Sequence, residues 1–208
     1  MNSFFQLYRQ AFLKPGHAFS ELLKHPNALS FGFFAVCVQA ILYTGVYVFL
    51  IFGGGQAFKP WLYIPVDEYY KYNVFFCAPS MILAWILAAG LIFVLTRLGK
   101  LQGQFEHVLA LFGFGIGIAS WSTGLHDIST SFLGAVHIID QRTYEFQLNS
   151  PTIWRTLLWI QMLVYLCWFI FLFSLAINKI YHTNRWMSFV LGFVGFLTYQ
   201  LFFLIFNR

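Results

Sequence analysis

The chain has 208 residues, 60% of them hydrophobic and 9% charged, with a formal net charge of +5. Soluble domains carry about 25% charged residues, so this composition excludes an ordinary water-soluble fold. No basic run follows a phosphate backbone, and nucleic acid is not an expected partner. The 27 Phe and 7 Trp suit lipid-facing surfaces and interfacial belts.

The first stretch, residues 1–27, reads as two amphipathic helices. Phe4, Phe5, Tyr8 and Phe12 recur at helical spacing, with Gln6, Arg9 and Gln10 between them. After Lys14-Pro15-Gly16, Ala18, Phe19, Leu22 and Leu23 share one face, opposite Glu21, Lys24 and His25. Both fit helices lying in the membrane interface. The alternative is a cap packed on the bundle. Pro15 and Pro26 interrupt the apolar run that a cleavable signal would need.

Five transmembrane spans follow, in a polytopic all-α helix bundle over residues 28–208. The first, about 28–52, is uncharged and long enough to cross about 30 Å of hydrocarbon. Gly53-Gly54-Gly55 ends it, and the loop from Gln56 to Tyr72 carries Lys59, Asp67, Glu68 and Lys71 among interfacial aromatics. The second span, about 73–96, has Pro79 in its first turns, which predicts a kink. Ser80, Ala84 and Ala88 give it a small-residue stripe.

The third span, about 105–122, organises the rest. A basic turn, Arg97 to Gly103, leads into an apolar segment carrying Gly113, Gly115 and Gly117, with Gly124 extending the face. Each glycine weakens a lone helix by about 1 kcal/mol relative to alanine. The segment makes sense gripped by neighbours, because glycine lets helix backbones approach closely. Thr123 to Pro151 is expected to be a loop. Its apolar run, Ile128 to Val136, is too short to span and reads as an interfacial or re-entrant turn. The fourth span, about 153–178, and the fifth, about 186–206, form a hairpin through Tyr181 to Arg185. Gly192 and Gly195 put a packing face on the fifth.

Charge sets orientation. With the N-terminus inside, the inner segments hold Arg9, Lys14, Lys24, Arg97, Lys100, Lys179 and Arg185. The outer ones hold Lys59, Lys71, Arg142, Arg155 and Arg208. The positive-inside rule then places the N-terminus inside and the C-terminus outside.

The turn Leu98-Gly99-Lys100-Leu101-Gln102-Gly103-Gln104-Phe105, leading into Val108-Leu109-Ala110-Leu111-Phe112-Gly113-Phe114, follows two short amphipathic pieces and belongs to a five-span pattern. This resembles the Ypt-interacting-protein (Yip) family of small integral membrane proteins, in a short prokaryotic-type form. The resemblance implies a five-helix membrane domain in the cytoplasmic (inner) membrane. In eukaryotic relatives it implies association with Rab-type GTPases and vesicle traffic. The long cytoplasmic arm of those relatives does not precede the first span, and no proline follows the Gly-aromatic step.

Several residues carry candidate chemistry. His126, Asp127, His137 and Asp140 could ligate zinc or another divalent ion, although loop His and Asp are more often solvated or capping. Gln39, Gln161 and Gln200 sit at membrane depth and, with Glu106 and His107 at the mouth of the third span, could line a polar path. Buried amides more often tie helices together. No Asp, Glu, Lys or Arg falls deep in a clear span, which argues against a proton- or sodium-driven transporter. Cys37, Cys77 and Cys167 read as small buried hydrophobes. Gly115-x-Gly117 opens no phosphate loop and there is no nucleophile elbow. The serines and threonines from Ser120 to Ser131 read as caps, and neither catalysis nor a resident cofactor is expected. The leading expectation is a membrane-organising protein whose partners are lipids, a second copy or another membrane protein. The alternatives are a small channel or transporter for a neutral or weakly polar solute, and a metal-dependent membrane enzyme.

Overall fold

A computed structural model describes residues 3–55, 57 and 61–207. Of the residues named above, Gln56, Lys59 and Arg208 lie outside that set. The described residues form helices α1 (Phe4–Leu13), α2 (Pro15–Leu23), α3 (Ala28–Gly53), α4 (Tyr69–Leu98), α5 (Phe105–Ala119), α6 (Trp121–Ala135), α7 (Gln141–Asn149), α8 (Ile153–Tyr181) and α9 (Arg185–Asn207). α3, α4, α8 and α9 are each long and apolar enough to cross a membrane, and so are α5 and α6 taken together.

Local chemistry sets the helix ends. Ser3 and Gln6 close a capping box on α1, and Pro15 opens α2 at a position where its missing N–H costs nothing. Gly54, at φ +68°, turns the chain out of α3 in the left-handed region. Thr152 caps α8, and His182 ends it at φ +51°. α4 runs as one helix through Pro79.

α5 and α6 meet at Ser120 with a bend of 46°. The partners they meet on α3 decide whether they double back. Gly32 faces Ala110 and Gly113, and Ala35 faces Gly117. Beyond the bend Tyr43 bonds Thr123, Phe49 packs on Phe132, and Gly53 abuts Gly134. The two chains advance in step from one end to the other. α5 and α6 are therefore one broken span, parallel to α3, and the bundle has five spans. At about 1.5 Å per residue the 26 residues of α3 cover about 39 Å, more than the hydrocarbon thickness.

This corrects the stretch expected to be a loop. Residues 123–135 continue the third span as helix, and Ile128 to Val136 belongs mostly to its second half. Hydropathy misses it because Thr123, His126, Asp127 and Ser129 to Ser131 dilute the apolar signal.

α5 occupies the centre. Every residue from Ala110 to Ala119 is buried, which marks a helix enclosed on all sides. α4 packs antiparallel to it, with the Trp85 indole donating to the Leu109 carbonyl at 2.9 Å. α8 also packs antiparallel, through Phe112 stacked on Phe173 at 3.9 Å. α9 returns along α8, with Phe196 against Phe169. The N-terminal helices pack on this bundle: Leu7, Ala11, Ala18, Phe19 and Leu22 are fully buried, and Phe4 and Tyr8 lie edge-on to Phe114. Their apolar faces cover protein, while Phe5 and Leu13 point outward. All three cysteines are free, but Cys167 is exposed on the outer surface of α8.

Candidate functional site

The break at Ser120 needs partners for backbone groups that a continuous helix would satisfy internally. In hydrocarbon each unpaired group costs several kcal/mol, so such breaks occur only inside protein or along a cavity. Here side chains from three other helices supply the bonds. The Gly117 carbonyl accepts from Gln39 Nε2 at 2.9 Å and from the Tyr8 hydroxyl at 2.6 Å. Trp121 Nε1 donates in turn to the Tyr8 oxygen at 2.8 Å. On α8, Gln161 Nε2 donates to the carbonyls of Ser122 and Thr123 at 3.1 and 3.4 Å. Gln39 and Gln161 thus converge on one break.

From the break towards α7 the interior of the bundle becomes polar. Tyr43 and Thr123 share a bond at 2.7 Å. Gln200 donates to the Tyr165 hydroxyl. Asn207 Nδ2 donates to Ser80 Oγ at 2.6 Å, and Tyr47, Asn73 and Tyr199 are buried. Asn73 is wholly buried, and neither atom of its amide has a hydrogen-bond partner; Gln39 Oε1 is likewise buried and unpartnered. A side chain at Gly124 would meet nothing closer than that Gln39 oxygen, at 3.8 Å, so space remains beside it. Along α5 itself no polar side chain occurs from Ala110 to Ala119.

His126 and Asp127 lie within the second half of the broken span, which revises the expectation that no acid enters a span. Asp127 is seven residues short of Gly134, which abuts the end of α3, about 10 Å along the helix axis. His126 Nδ1 pairs with Asp127 Oδ1 at 3.0 Å, and Nε2 meets the Tyr144 hydroxyl of α7 at 2.6 Å. Burial, then the Asp127 charge, pushes the Tyr144 phenol above its ordinary value.

His137 and Asp140 stand apart from this pair. His137 lies beyond α6 at φ +58°. Asp140 caps α7, its oxygens accepting from the Arg142 amide at 3.1 Å and the Thr143 hydroxyl at 2.7 Å. The Thr143 bond, with the backbone donors, holds its carboxyl below the usual range. Among the described residues no three His, Cys, Asp or Glu side chains form a group able to hold a metal ion. Glu106 and His107 sit in the first turn of α5, at the opposite end from the polar layer, with Glu106 exposed.

The glycines divide by role. Gly113 and Gly117 lie against α3, a Cβ on Gly115 would lie 3.4 Å from the Phe173 ring, Gly192 abuts the Ser174 backbone, and Gly195 meets Phe112. Gly124 packs on nothing closely. Sequence reasoning missed Gly32 and Ala35, the partners of the α5 glycines, although two small residues three apart in a long apolar run would have signalled them. It also missed Tyr8, Tyr43, Asn73, Tyr165 and Asn207, because a tyrosine or asparagine near a span end reads as an interfacial residue. No family model matches the chain, and neither a curated protein nor a solved structure does.

Proposed function

We propose that the protein binds and passes a small neutral or weakly polar solute through the polar layer beside the broken span, in a prokaryotic cytoplasmic membrane with its N-terminus inside. The observation that carries this is Asn73, an amide wholly buried with neither atom partnered. Leaving such a group unpaired costs about 1–3 kcal/mol. A bound solute or water would supply the missing bonds, and a second unpartnered amide oxygen, Gln39 Oε1, borders the space at Gly124. Transport proteins build sites from interrupted helices at membrane depth, and an intramembrane His-Asp pair fits that pattern.

The test is flux of urea, glycerol and small amides into proteoliposomes, for the unmodified protein and Asn73→Leu. Uptake above that of empty liposomes, reduced at least about tenfold in the variant, is the expected result. Uptake no faster than empty liposomes across the panel would end the proposal. So would an Asn73→Leu variant that keeps its helical spectrum and transports normally.

A second reading is a membrane-organising protein of the Yip type. It is supported by the seal along α5, where no polar side chain occurs between Ala110 and Ala119. A solute crossing the membrane would need α5 to move. Under this reading the same proteoliposomes show no flux.

A further inference from the structure

A groove of about 650 Å³ runs between α8 and the start of α9. Its walls are apolar, with Cys167, Phe171, Leu175 and Phe189 among them, and Ser174 on its floor. It follows α8 from Leu166 to Asn178, about 18 Å along the axis. One leaflet of hydrocarbon is about 15 Å deep. The groove ends at Arg185, the first residue of α9, beside Trp186, which is 73% exposed. The ion pairs among the described residues are Lys24 with Glu21 and His126 with Asp127, so no described carboxylate lies within ion-pair distance of Arg185. A guanidinium with no counter-ion therefore stands at the membrane-surface end of a slot one acyl chain long.

We infer that this groove is a binding site for an anionic phospholipid, its phosphate on Arg185 and one acyl chain along Phe171, Leu175 and Phe189. Charge complementarity selects this occupant. A zwitterionic lipid would gain less at an unpaired cation, and a second copy of the chain would have to bring an acid to Arg185. The site is separate from the polar layer and does not depend on the solute reading.

Cys167 provides the probe, because it is exposed and lines the groove. With Cys37 and Cys77 replaced by alanine, a fluorophore on Cys167 is quenched by lipids brominated on their acyl chains. Nanodiscs hold an equal small fraction of brominated phosphatidylglycerol or brominated phosphatidylcholine. The anionic lipid should quench about fivefold more effectively, the preference expected of one cation at a membrane surface. Arg185→Gln should abolish the preference, Arg185→Lys should restore most of it, and Arg142→Gln on the other face should leave it intact. Equal quenching by the two lipids would reduce the groove to ordinary lipid contact, and a preference that survives Arg185→Gln would also overturn the assignment. A disulfide-linked dimer through Cys167 in the native protein would show a second copy there instead. If the cysteine replacements prevent folding, native mass spectrometry of the unmodified protein and Arg185→Gln reads the same retention of phosphatidylglycerol.

Discussion

Gly113 and Gly32 meet backbone to backbone: a Cβ on Gly113 would lie 2.5 Å from the Gly32 carbonyl oxygen, and one on Gly32 would lie 2.6 Å from that of Ala110. No side chain fits between them, so the distance between α3 and α5 is set by the absence of one. That close approach is what locks the broken span alongside α3. Substituting either glycine must push two main chains apart, and neither can yield as a flexible side chain would.

Gly113→Ala and Gly32→Ala should therefore destabilise the bundle by about 1–3 kcal/mol each, the usual effect of overpacking. Gly45 and Gly90 are the controls, since a Cβ at either meets nothing within 4 Å. Alanine there should stabilise by about 0.5–1 kcal/mol through helix propensity alone. Thermal unfolding in detergent measures all four. If the two pairs shift the midpoint in the same direction, the backbone contact does not control stability.

Gln39 and Tyr8 act on one acceptor, the Gly117 carbonyl. Gln39→Leu leaves that carbonyl with Tyr8 alone. Tyr8→Phe leaves it with Gln39 and also deprives the Trp121 indole of its acceptor. Each variant should cost about 1–3 kcal/mol. The double variant should differ from the sum, because the residues share a partner. Additive losses would mean that the two bonds are independent and that the break is held elsewhere.

The five-span architecture was legible in composition and hydropathy, because spans must be long and apolar whatever they pack against. The first half of the third span was legible too, as glycines there demand close neighbours. Its second half was not. Thr123 and His126 look like loop residues until Tyr43 of α3 and Gln161 of α8 bond the first and Tyr144 of α7 bonds the second. The same holds for Tyr8, which reads as one more aromatic in an interfacial helix, yet its hydroxyl reaches a backbone carbonyl 109 residues away. Amphipathic periodicity reports that a face is apolar and is silent on whether lipid or protein covers it. The orphaned amide of Asn73 left no trace in the sequence, where the residue marks only the start of a span.

Asp140 gives α7 a pH dependence whose sign follows from its depressed carboxyl. A group with a lowered folded value stabilises above its unfolded value, about 3.9 for aspartate, and loses that contribution as pH falls through the folded value. The α7 cap should therefore persist from neutral pH down to about pH 4 and weaken below it. Hydrogen exchange of the α7 amides between pH 3 and pH 6 measures this, after correction for intrinsic rates. Asp140→Asn should flatten the profile. An unchanged profile in that variant would assign the titration to another group.

Orientation can be tested through the charges thought to set it. Seven cations fall on the segments proposed to be inside and five on those outside, counting Lys59 and Arg208. A phosphatase fused after residue 208 should be active in the periplasm, and a fluorescent protein at the same point should stay dark. Arg97, Lys100 and Lys179 lie in the segments proposed to be inside, at or just past the ends of α4 and α8, within the range over which cations act on insertion. Changing all three to glutamine leaves four inner cations against five outer ones. The triple variant should then insert in both orientations or invert, so that cytoplasmic fluorescence appears at the expense of phosphatase activity. A fully retained orientation would show that something other than the loop cations, such as the early docking of α1 and α2 on α5, fixes how the chain enters the bilayer.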